Sequence, residues 1–79
     1  MGTRVFKERG NFKLVGDERD VMVSANRRMD VVLWCQDNNI KAELSVGSTQ
    51  SAFSALAFGV YLWRVKDEKQ RVAFVLKWG

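Results

Sequence analysis

The chain has 79 residues, 47% of them apolar and 28% charged, with five Phe, three Trp, one Tyr and no low-complexity tract. A chain of that length buries about 60% of its unfolded surface and supports one core, so a single folded domain over residues 1–79 is expected. It has no histidine, and Cys35 is its one cysteine; this excludes a His-based triad, a Cys/His zinc cluster and a disulfide within the chain.

An unpaired cysteine behind an N-terminus without a signal-peptide pattern suits the reducing cytoplasm. Thirteen Lys and Arg against nine Asp and Glu leave a net charge of +4, which permits attraction to nucleic acid or to an acidic protein surface without demanding either. From Glu43 to Arg64 the chain runs without a charge between them, but this stretch carries several Ser residues. Its apolar part, Ala52 to Trp63, has twelve residues, short of the ~20 that cross a bilayer. No membrane association is expected.

In chain order, Arg4–Lys7 and Asn11–Val15 are β-prone pieces expected to pair as a hairpin with its tip at Glu8-Arg9-Gly10. Val21-Met22-Val23 fits two readings. One is a long helix from Glu18 to Asn38, capped by Asp17. The other, slightly favoured, is a strand followed by a shorter helix from Arg27, capped by Asn26. Either way Met29, Val32 and Leu33 are expected to face the core, and Asn38-Asn39 to end the helix in a left-handed turn.

Ile40 to Val46 alternates as a strand with one wet face. Gly47 to Gln50 is a turn or cap, and Ser51–Ala57 adds a candidate short helix before Gly59. Val60–Lys66 is a strand with Val60, Leu62 and Arg64 on one face and Tyr61, Trp63 and Val65 on the other. Arg71–Trp78 suits either a returning strand or a helix. For the helix, Asp67 and Gln70 form a capping box, and Val72, Val75 and Leu76 share a face.

The run Trp63-Arg64-Val65-Lys66-Asp67-Glu68 to Phe74-Val75-Leu76-Lys77-Trp78-Gly79 resembles the ending of many small phage-encoded proteins, in which an aromatic strand enters an acidic turn and an F-x-L-K-W-G-like finish. Met29–Asn38, with its Trp34-Cys35 pair, is similar to the W-C-x-x-N helix end that often precedes it. Together they cover about a third of the chain. The resemblance implies a phage-type accessory protein of an α+β group with mostly unassigned functions. It favours a helix over Glu68–Lys77 and carries no active site with it.

Candidate chemistry is sparse. Asp17, Glu18 and Asp20 form the one carboxylate cluster, but acidic residues after a glycine are commonly a helix start or turn. Gly47-Ser48-Thr49 lacks the second glycine and the lysine of a phosphate loop. Arg64, Lys66, Lys69 and Arg71 surround the last turn near Tyr61, Trp63, Phe74 and Trp78, a composition able to hold phosphates and stack bases. Arg27 and Arg28 lie near Trp34, which falls off the expected core face and has the composition of a protein-binding hot spot. Cys35 reads as a small buried hydrophobe.

These features lead to an α+β domain, a small antiparallel sheet with two helices on one face in the order β-β-β-α-β-β-α, its other face open to solvent or a partner. A non-enzymatic binding protein is expected, acting on a host factor or a second copy through Trp34, Arg27, Arg28, Trp63, Arg64, Lys66, Lys69 and Arg71, with no cofactor and no metal. A nucleic-acid module using the basic final turn is the alternative, and a self-assembling virion component is a third reading.

Overall fold

A computed structural model describes residues 2–45 and 47–79. Strands β1 (Thr3–Arg9) and β2 (Phe12–Asp17) form the hairpin, paired from Thr3 with Asp17 to Arg9 with Phe12. The tip is therefore Gly10-Asn11, later than expected. Gly10 has φ 58°, the positive angle that the first central residue of a two-residue type II′ connection needs. The register shifts between Val5 and Lys7, and the extra residue of this bulge, Phe6, packs against Leu14, Val60 and Leu62.

The strand reading of Val21 holds. β3 (Val21–Ser24) is followed by a 3₁₀ turn (Ala25–Arg27) and helix α1 (Arg28–Asp37). Val21 and Val23 are buried and β3 pairs with the later strand that contains Trp63, a use of β-branched residues that a solvated helix would waste. Asn26 does not cap α1: it sits inside the 3₁₀ turn, and its Oδ1 accepts from the Ser24 hydroxyl at 2.7 Å.

The expected inward face of α1 is also corrected. Met29 and Leu33 are 66% and 51% exposed, Val32 is half-buried, and Val31 and Cys35 are the buried pair. Residues four apart share a helix face, and these two small side chains admit the helix close to bulky Trp63 and Phe74, their partners in the core. Asn39 ends the helix with φ 55°, as expected.

β4 (Ala42–Leu44) is shorter than the strand read over Ile40–Val46, of which Val46 lies outside the described residues. Helix α2 (Ser48–Phe58) follows and stops at Gly59, whose φ of 69° is the left-handed cap that glycine adopts without strain. β5 (Val60–Val65) leads to helix α3 (Glu68–Trp78), so the helical alternative for the last segment prevails. Asp67 Oδ1 accepts from the Gln70 N–H at 3.0 Å. The Gln70 side chain in turn accepts from the Lys41 N–H at 2.9 Å and donates to the Asn39 carbonyl at 3.2 Å, tying the helix start to the loop after α1.

The three-stranded sheet has the order β3-β5-β4, antiparallel throughout. One face carries Val21, Val23, Trp63 and Val65 and packs on Val31 and Cys35 of α1 and Phe74 of α3. The fold is thus α+β with α1 and α3 on one face, as expected, but the hairpin is a separate two-stranded sheet and a third helix, α2, stands between β4 and β5, where the expected order had none. The other face is not open. Val60 and Leu62 are covered by Leu14 and Phe6 of the hairpin and by Phe58 of α2.

Candidate functional groove

Burial of Phe74 decides what the rest of α3 does. At about 100° per residue, Val72 and Leu76 fall about 160° away from Phe74 and Val75 about 100° away. All three are exposed, Leu76 at 83%. They share a face, as the spacing predicts, but it is the outer one. Opposite them stand Phe6 of the hairpin and Met22 of β3, and together they line an open groove of about 610 Å³ with Val21 at its base. The groove reaches Val21 and Met22 of β3, a strand with a neighbour on one side only.

Its rim is cationic. Arg4 lies over the Phe6 ring at 4.7 Å, and Arg19 and Arg71 stand at the rim with it. Arg19 and Arg71 also border a smaller depression of about 140 Å³, where Arg64 and Lys66 join them. Of the basic residues expected around the last turn, the fold therefore gathers Arg64, Lys66 and Arg71 and adds Arg19. Lys69 is exposed on the first turn of α3 and does not line the depression.

The acidic turn organises this cluster. The Asp20 side chain is fully buried; its carboxylate accepts from the Asp17 N–H at 3.0 Å and from Arg64 Nε at 3.0 Å and Nη2 at 3.4 Å. The Asp20 carboxylate holds the Arg64 guanidinium pKa above its ordinary value. Asp17 accepts from the Arg19 N–H at 2.8 Å and Arg19 Nε at 3.1 Å, and these bonds hold its carboxyl below the usual carboxylate range. Arg71 Nη1 donates to the Val65 carbonyl at 3.3 Å, and Lys66 faces Glu43 at 3.9 Å. The carboxylates thus serve as struts, and among the described residues no group of three or more metal-ligating side chains comes together.

The aromatic residues expected to meet a partner are used inside the molecule. Trp63 is 4% exposed and belongs to the core, which removes it from any contact surface. Trp34 is half-buried, edge-on to Phe74 at 6.2 Å and to Trp78 at 6.1 Å. Arg27 covers the Trp78 ring at 4.9 Å, and Arg28 covers Tyr61 at 5.1 Å with Nη1 3.4 Å from its hydroxyl. Cation–π contacts of this kind hold the start of α1 to the end of α3 and to β5. Burial also pushes the Cys35 thiol pKa up, as suits an inert core residue.

The groove residues Phe6, Met22, Val72, Val75, Leu76 and Arg4 were not singled out as a site by sequence reasoning. The shared helical face of α3 was the available signal, but its direction depends on Phe74 taking the core position. No described helix is long and apolar enough to cross a membrane. No protein-family model, curated protein or solved structure matches the chain.

Proposed function

We propose that the chain is a non-enzymatic binding module, a phage-type accessory or host-modulating protein of the cytoplasm, which engages a protein partner through the groove between α3 and the hairpin. The observation that carries this reading is the exposure of Val72, Val75 and Leu76 side by side on one helix, facing Phe6 and Met22 across open space. Contiguous exposed apolar surface on a small protein marks an interaction site, because leaving it in water forfeits about 25 cal/mol for each Å². The test is affinity capture from bacterial lysate with nuclease present, comparing the wild type with Leu76→Asp. A stoichiometric protein retained by the wild type and lost by the variant supports the reading. Equal retention by both sinks it.

Convergence of Arg19, Arg64, Lys66 and Arg71 on one depression favours a second reading, a nucleic-acid module. It lacks the stacking half of such a site, since Trp63 is buried. Its signature is affinity for single- or double-stranded probes that falls steeply with salt, and absence of that binding removes it.

A further inference from the structure

The strand at the base of the groove has a neighbour on one side only, β5. Natural sheets blunt such edges with charge, proline or bulges, because unpaired N–H and C=O groups pair with any strand that reaches them. The β1 strand follows that rule, with Arg4, Lys7, Glu8 and Arg9 along it and a bulge at Phe6. The β4 strand is three residues long and carries Glu43. The β3 strand, Val21-Met22-Val23-Ser24, has no charge and no proline, and its Val21 and Met22 line a groove whose wall is an exposed aliphatic helix face.

We propose that β3 receives an extended segment of a partner protein in which aliphatic residues alternate with Asp or Glu. This rests on the protein-binding reading above and names the partner's chemistry. Alternation follows from strand geometry: successive side chains of an added strand point to opposite faces of the sheet. One set meets Val72, Val75 and Leu76 of α3, where aliphatic groups displace water. The other set turns toward the hairpin and the β2–β3 turn, which present Arg4 and Arg19, with Arg71 on α3 completing the cationic rim.

Charge selects this occupant. Of the three guanidinium groups, Arg19 is paired with Asp17 at 3.1 Å, whereas Arg4 and Arg71 form no salt bridge among the described residues; the carboxylate side chains lining the groove are Glu18 and Asp20, and that of Asp20 is buried on Arg64. A second copy would bring a net charge of +4 and the same cationic rim to the contact, whereas an acidic segment neutralises it. An acyl chain is enclosed over most of its surface in the pockets that bind it, and this groove leaves Leu76 83% exposed.

The experiment is selection of binders from a displayed library of random peptides on the full chain, followed by affinities of the enriched peptides for wild type, Leu76→Asp and the double variant Arg19→Glu/Arg71→Glu. Each variant is first checked by thermal unfolding. Arg4→Glu/Arg19→Glu serves as a second reversal that leaves the Arg71 bond to Val65 intact. Enrichment of alternating aliphatic and acidic peptides is expected, with binding lost in Leu76→Asp and at least tenfold weaker in either charge reversal. Replacing Glu by Lys in those peptides should restore binding to the reversed variants and abolish it for the wild type.

Enriched peptides that need Leu76 but lack acidic residues overturn the inference and leave the groove reading standing. Enrichment indifferent to Leu76→Asp, or none, overturns both. The inference also fails if the protein alone is a dimer that Leu76→Asp dissociates. Sedimentation with phosphatidylglycerol vesicles that requires Leu76, without peptide binding, overturns it as well.

Discussion

The two faces of β5 are built differently. Toward α1 and α3 the core has seven buried residues, among them Trp63 and Phe74, and Trp34, Tyr61 and Trp78 close around them. Toward the hairpin and α2 it has three, Leu14, Val60 and Leu62. The aromatic face is closed on itself, and its arginines cover its own rings, so little of its binding capacity is left for a partner. The thinner face is roofed by a two-stranded hairpin that cannot reach across to α3. At the seam between the two layers, along β3, apolar side chains remain in water. In so small a protein an exposed apolar groove arises where two cores of unequal size fail to meet, and not where aromatic residues are concentrated in the sequence.

That contrast is open to attack by substitution. Phe74→Ala should cost about 4 kcal/mol and Leu14→Ala about 2–3 kcal/mol, because the larger cavity opens in the more fully buried core. Urea unfolding of the two variants measures the difference, and equal losses would show that the faces are energetically alike. Asp20→Ala should cost about 3 kcal/mol, since it orphans the Asp17 N–H and leaves Arg64 without its counter-charge. Asp20→Asn, which keeps an acceptor, should recover part of that loss.

Gly16→Ala probes the seam more finely. A Cβ there would stand 2.7 Å from Asp20 Oδ2 and 2.8 Å from Leu62 Cδ1, so hairpin and sheet must separate. A cost of about 2 kcal/mol is expected, with reduced protection of hairpin amides in hydrogen exchange and unchanged protection in α1.

The smallest effects are those of pH. The Asp17 carboxyl titrates lower in the folded chain than in the unfolded one. Its contribution is present above the unfolded carboxylate pKa and lost as pH falls through the folded one. Asp17→Asn should flatten the acid limb of stability against pH. The Cys35 thiol titrates higher when folded. Its contribution is full below the unfolded thiol pKa and lost as pH rises through the folded value, so Cys35→Ala should flatten the alkaline limb. Native Cys35 should also resist alkylation at neutral pH and react on unfolding.

Much of the fold is legible along the chain. The hairpin, the β5 alternation, the left-handed turn at Asn39 and the Asp67–Gln70 capping box are all marked by residue types within short stretches of chain, which is why local pattern reveals them. The facing of α1 is different. Met29, Val32 and Leu33 satisfy helical spacing as well as Val31 and Cys35 do, and only the bulk of Trp63 and Phe74 across the core selects the smaller pair. The expected contact residues divide in the same way. Arg64, Lys66 and Arg71 flank one turn and stay together, whereas Trp34 and Trp63 lie on elements that fold onto α3 and are drawn into or against the core.

The sequence by itself determined the class, the rough order of elements and the absence of histidine chemistry, because composition and short-range backbone preferences suffice for these. Tertiary structure alone decided that the second face of the sheet is covered, that Val72, Val75 and Leu76 point outward, and that β3 is left as an uncharged edge beside them. Those outcomes depend on which of several equally apolar faces wins the limited interior of a 79-residue chain, a competition settled by volume and packing between residues far apart in the chain.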